Sequence, residues 1–312
     1  MDRAYDVLVV GEINVDLILS GDIEPVFGQV EKRVENAVLT VGSSSVIFAC
    51  GAAWLGLKVA FTGVVGDDLY GHYMLDRMRA RGIETGNIIL DRNQRTGLSV
   101  ILSRKGERAI LTYAGAIDAL SADQIDRGLM KKCSHMHVAS YYLQSSLRPD
   151  IPFLFAEARE HGLTISLDTN WDPSEVWDGE IEEALCNTDV FLPNEQEAIA
   201  ISKSRNVEDA LDKLSSYIGT VAIKRGSKGA IAQSGGEKAV CKAFPAEVVD
   251  ATGAGDSFDA GFIYGMLKGF SLLESLQYGC VCGSFSTKAF GGVESQPTLS
   301  EVRESLRKYP RM

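Results

Sequence analysis

Six short runs of apolar and β-branched residues, each beside a stretch with helical spacing, constrain this chain more than any other feature. They read DVLVV from Asp6, VAFTGVVG from Val59, MHVAS from Met136, LTISLD from Leu163, DVFLP from Asp189 and TVAIK from Thr220. A strand that is apolar on both faces must be covered on both, and helices between successive strands supply that cover. The pattern predicts an α/β core: a mostly parallel central sheet flanked by helices in three layers. Two regions break the rhythm. Residues 13–42 are turn-rich and alternating, and residues 96–115 read as two alternating strands around the turn RKGER. Alternation marks strands with one wet face. These regions are expected to build a small antiparallel β lid, from roughly 12–42 and 96–116, on a single unit spanning 1–312.

Composition narrows the function. A net charge of −11 argues against a nucleic-acid partner, because phosphate contacts need clustered Lys and Arg. It leaves room for a small anionic ligand held by a local patch. The most apolar run, residues 46–57, is shorter than the about 20 residues that cross a bilayer, so a buried helix is expected and no membrane partner. The opening MDRAYDVLVVGE runs straight into a strand pattern and does not read as a signal peptide. Six cysteines without a CxxC pair read as reduced core residues of a cytoplasmic protein. His135 and His137 share one strand face; a third metal ligand is not near in sequence, so a packed strand is the favoured reading.

In an open α/β sheet, ligands sit beyond the carboxyl ends of the strands. Asp168 and Asn170, Asn194 and Glu197, and the stretch KRGSKG from Lys224 all follow predicted strands. So does DATGAGDSFDAGF from Asp250, which comes after AEVV. Its continuation is helix-like, placing Gly253, Ala254 and Gly255 at a helix N-terminus, where free N–H groups attract anions. Asp256 follows at once. It is either a cap for the first turn or a carboxylate placed on purpose beside an anion site. NEQE by itself could be a helix start, and KRGSKG a plain hairpin turn. No GxGxxG follows the first strand and no GxxxxGK[ST] occurs, which disfavours a dinucleotide enzyme and a P-loop kinase.

DATGAGDSF resembles the second signature of the ribokinase-like (PfkB) carbohydrate kinases. GEINVDLI near the start, VGSSSVIFACGAAWLGLKVAFTGVVGDDLYG, PNEQE and KRGSKGA are similar to that family's other motifs, in family order over nearly the whole chain. The resemblance implies phosphorylation of a hydroxyl on a small sugar-like acceptor by ATP. Asp256 would be the base, and Gly253, Ala254 and Gly255 the anion hole. Asn14, Asp16, Gly42 and Ser43 would meet the acceptor, together with Asp256. Asn194, Lys224, Gly226, Ser227 and Gly229 would cup the nucleotide, with Gly253 and Gly255. Asn194 and Glu197 would organise Mg²⁺ through water. Asp250 and Thr252 resemble a monovalent-cation site for K⁺, although Asp250 could equally be a loop-fixing acceptor. The lid's outer face would pair two subunits as a homodimer.

The chain departs from the family at the acceptor end. Ile47 stands where a sugar-binding Asn is usual, and Ile cannot hydrogen-bond a hydroxyl. Trp171 replaces a frequent Arg, AGAID lacks the Asn common in that loop, and Lys224 stands where Thr is common. A nucleoside kinase of the same fold, with Ile47 against a base, and a non-catalytic binding protein are the alternatives.

Overall fold

The computed structural model describes residues 3–104, 107–177 and 180–309. Nine strands form the main sheet: β1 (Tyr5–Val10), β4 (Val59–Gly66), β5 (Glu84–Asp91), β8 (Cys133–Val138), β9 (Thr164–Leu167), β10 (Val190–Phe191), β11 (Thr220–Lys224), β12 (Ala230–Ser234) and β13 (Glu237–Cys241). Their order is β13-β12-β11-β10-β9-β8-β1-β4-β5. From β11 to β5 every pair is parallel, while β12 and β13 close one edge antiparallel. All eight positions of β4 are buried, as a strand covered on both faces requires. The described residues form ten α-helices: α1 (Ser44–Trp54), α2 (Leu69–Ala80), α3 (Arg127–Met130), α4 (Ile151–Glu160), α5 (Glu180–Leu185), α6 (Glu195–Ser202), α7 (Val207–Leu214), α8 (Ala254–Leu267), α9 (Leu272–Ser286) and α10 (Leu299–Lys308). One apolar layer lies under α1, α2, α8 and α9, the other under α4 to α7.

β1 is central. The chain runs from it through β4 to β5 on one side, then returns to β8 and runs to β11 on the other. That reversal opens a crevice at the carboxyl ends of β1 and β8. A second sheet, in the order β3-β2-β6-β7, stands beside the crevice: β2 (Asn14–Ser20), β3 (Asn36–Val41), β6 (Gly97–Arg104) and β7 (Glu107–Tyr113). β2–β3 and β6–β7 are antiparallel, and the two pairs join through a parallel β2–β6 contact. Register gives this sheet two unlike faces, because successive side chains alternate. Thr40, Asp16, Ser99 and Thr112 stand in one cross-strand row, and Leu39, Leu17, Val100 and Leu111 in the next, on the opposite face. Lys105 and Gly106 of the predicted RKGER turn lie outside the described residues.

Two expectations need correction. AEVV is not a strand: Val248 and Val249 are exposed, and the N–H groups of Val249 and Asp250 donate to the Thr287 carbonyl beyond α9. The segment is tied to a helix end, not to a sheet edge. The cysteines are unpaired and five are buried, but Cys186 is exposed. The stretch after TVAIK returns antiparallel as a hairpin, and the helix beside this strand, α7, precedes it. His135 and His137 do pack within the sheet. His135 bonds Thr164 and Ser166, and His137 bonds Ser166 and stacks on Phe48 at 3.6 Å.

Candidate active site

Gly253 begins the site because nothing larger fits. Its φ is +72°, and a Cβ there would lie 2.6 Å from Gly292 Cα and 3.0 Å from Ile47. The turn starts α8. The N–H groups of Gly253 and Gly255 make no hydrogen bond among the described residues, whereas that of Ala254 turns back to the Ala251 carbonyl at 3.3 Å. Two of the three predicted anion donors are therefore free. A cavity of about 490 Å³ opens from this turn. Gly226, Ser227 and Gly229 of the β11–β12 turn line it, with Ala254, Gly255 and Lys224. KRGSKG is thus both a hairpin turn and a cavity wall.

Asp256 sits in the first turn of α8 and is buried. Burial pushes its carboxyl up to about 7, the charge of Asp168 adds to this, and the Lys224 ammonium and Ser44 hydroxyl oppose it. Across the crevice, Asp16 is also pushed up to about 7, first by burial and then by the charge of Asp256, while Arg108 on β7 pulls it down. Asn14 Nδ2 donates to Asp16 Oδ1 at 3.1 Å and to Ser99 Oγ at 3.4 Å. Gly42 lets Asp16 approach, since a Cβ there would lie 2.2 Å from Asp16 Oδ1. Ser43 is committed elsewhere: its hydroxyl donates to the Glu12 carbonyl at 2.6 Å and accepts from Val46 N–H at 3.0 Å.

Glu12, at the exit of β1, was not legible as a site residue. It is buried and accepts from Ser45 Oγ at 2.5 Å and Ser140 Oγ at 2.9 Å, fixing the N-terminus of α1 to the end of β8. Ser44, also unpredicted, accepts from Asn170 Nδ2 at 2.6 Å and lies beside Asp256. Trp171 follows, half-exposed and edge-on to Trp177. Ile47 is buried between Gly253 and Gly292, and its carbonyl accepts from Gln296. It therefore backs the anion turn.

Asn194 and Glu197 form a capping box at the start of α6. Asn194 Oδ1 accepts from the Glu197 N–H at 2.9 Å, and Glu197 Oε2 from the Asn194 N–H at 2.8 Å. The other Glu197 oxygen has no hydrogen-bond partner among the described residues. Burial and the charge of Asp168 push this buried carboxyl up to about 7. Asp250 uses both oxygens internally: Oδ1 accepts from Thr252 N–H and Oγ1, and Oδ2 from Gly291 N–H at 2.9 Å. Asp168, Asp256 and Asp259 bring carboxylate oxygens within 4.8 Å of one another, and the cation among them is the Lys224 ammonium.

Free backbone donors beside a buried carboxylate are what transfer of a phosphoryl group to a hydroxyl requires, so the fold and site together define a phosphotransferase. The chain belongs to the pfkB family carbohydrate kinases, whose sequence pattern it matches over residues 4–299. An uncharacterized sugar kinase of Archaeoglobus fulgidus is 32% identical over 250 residues, covering 79% of this chain and 98% of that protein. An ATP-dependent ribose-1-phosphate kinase of Halopiger xanaduensis is 29% identical over 96% of this chain and 97% of its own. Among solved structures, a putative ribokinase II from E. coli in complex with ATP and Mg²⁺ superposes with a TM-score of 0.86. It is 26% identical, covering 97% of this chain and 99% of that one.

Proposed function

We propose that this carbohydrate kinase transfers the γ-phosphoryl group of ATP to a hydroxyl of a small sugar or sugar derivative, with Asp256 as the base. The observation that carries the reading is the position of Asp256: buried, one residue past the free N–H of Gly255, and facing Asp16 across the crevice. The adenine end lies in the cavity over Gly226, Ser227 and Gly229, and the phosphates run past Asn194 and Lys224 to Gly253 and Gly255. The acceptor lies between Asp16 and Asp256, under the polar row of the second sheet. Arg108 gives that face a positive charge near Asp16, which favours an acceptor carrying an anionic group. The Halopiger relative's ribose 1-phosphate is of that kind.

The residues fit Mg²⁺, which takes oxygen ligands and keeps waters: Glu197 offers an unpartnered oxygen beside Asn194. Mg²⁺ supplies charge neutralisation to the phosphates when bound. Asp250 and Thr252 would hold K⁺ only by sharing oxygens already engaged in fixing the loop. The second sheet acts as a lid that excludes water, and its apolar outer face pairs two subunits. Buried free thiols suit a reducing, cytoplasmic setting. The test is acceptor-dependent ADP formation across neutral sugars, sugar acids, sugar phosphates and nucleosides, with the product identified by phosphorus NMR. A phosphate ester formed from one acceptor class is expected. ATP turnover that no acceptor raises would contradict the reading.

A further inference from the structure

Lys224 ends β11 with its ammonium between two buried carboxylates. Nζ lies 2.8 Å from Asp168 Oδ2, and 3.1 and 3.0 Å from Asp259 Oδ1 and Oδ2. Asp168 follows β9, and Asp259 stands one turn after Asp256 on α8, so three separate elements meet at this one cation. An ammonium carries three donors, and the two carboxylates engage it on two sides. Its remaining side borders the anion turn: Nζ is 3.4 Å from the point a Cβ on Gly255 would occupy. The side chain keeps 12% exposure and lines the same cavity as Gly226, Ser227, Ala254 and Gly255. Burial opposes the charge, but Asp168 and Asp259 more than offset it and hold the ammonium's pKa above its ordinary value. It stays protonated.

Stability does not explain the arrangement, since apolar residues of similar volume in place of a buried ion cluster are often neutral or stabilising. A fixed cation at the inner end of a phosphate cavity is explained by charge that arrives with the ligand. We propose that Lys224 is a catalytic residue whose ammonium touches the γ-phosphoryl group during transfer, and that Asp168 and Asp259 are positioning residues that aim it. The inference rests on the kinase reading above. As the acceptor oxygen bonds to phosphorus, the bond to the β-phosphate bridging oxygen breaks and its electron pair leaves with ADP. The hydroxyl proton goes to Asp256. Lys224 keeps its protons and stabilises the non-bridging oxygens.

The experiment compares wild type, K224M, K224R and the double variant K224M/D259N, the last removing the cation together with one of the two carboxyl groups that hold it. Affinity for ADP and for a non-hydrolysable ATP analogue is measured by calorimetry, and kcat and KM on the acceptor found for the wild type. K224M should lose about 100-fold or more in kcat, and about tenfold more affinity for the analogue than for ADP. K224R should recover part of kcat, and the double variant should stay as slow as K224M. A double variant that returns to the parental kcat, or equal losses for ADP and the analogue, would overturn the proposal, because Lys224 would then only neutralise the buried carboxyl groups beside it. A wild type that transfers no phosphoryl group sinks the kinase reading instead, which separates the two failures.

Discussion

A carboxylate that must accept a proton is useful only while ionised, and Asp256 is held near the edge of that condition. Asp168, Glu12, Asp16, Glu197, Asp259 and Lys224 are titratable groups whose charges couple to it, with the Ser44 hydroxyl. Its pKa lies near 7, above the ordinary value, so it is protonated below that pH and unable to act as base. On that account kcat/KM falls about tenfold per pH unit on the acid side of pH 7. Ser44→Ala moves the limb to higher pH, because Ser44 favours the ionised form. A profile flat from pH 5.5 to 8 would contradict this. Asp256 and Asp16 were legible because they stand in dense motifs with small residues around them. Glu12, Ser44 and Asp259 were not, since each works through partners distant in sequence, such as Ser140 for Glu12 and Lys224 for Asp259.

At the scale of elements, the start of α6 does two jobs with the same atoms. Glu197 caps Asn194 with one oxygen and leaves the other without a hydrogen-bond partner among the described residues. Its pKa is raised to about 7, so the folded state favours the protonated form and loses stability as pH rises through that value. Glu197→Gln removes the buried charge but keeps an acceptor for the cap. Tm should therefore rise at pH 8 and change little at pH 5, while half-maximal activity requires about tenfold more Mg²⁺. An unchanged Mg²⁺ requirement would leave Glu197 as a cap alone. The six core strands were legible because apolar character on both faces marks a parallel interior. β5, β12 and β13 were not, because they lie at or near sheet edges and carry mixed patterns. AEVV misled for the converse reason: β-branched residues there face solvent.

The whole molecule presents one unlike pair of surfaces, the two faces of the second sheet. The polar row Thr40, Asp16, Ser99, Thr112 looks onto the crevice; the opposite face carries Leu39, Leu111 and Tyr113, exposed by 40%, 63% and 55%. An apolar sheet face left wet invites a second copy. Sedimentation at micromolar concentration should show a dimer, and Leu111→Glu a monomer; a monomeric wild type would contradict the pairing and leave the chemistry untouched. The second sheet's existence was legible from alternation, but its parallel β2–β6 join was not, because register between distant segments leaves no local pattern.

The most direct test of the central claim is Asp256→Asn, measured for ATP binding by calorimetry and for phosphate-ester formation on the acceptor found for the wild type. The substitution keeps shape and removes the base. The account predicts ATP affinity within about threefold of the parent and a rate lower by about 10²–10⁴. A variant that phosphorylates its acceptor at the parental rate would show that Asp256 only caps α8, and would contradict the account at its centre.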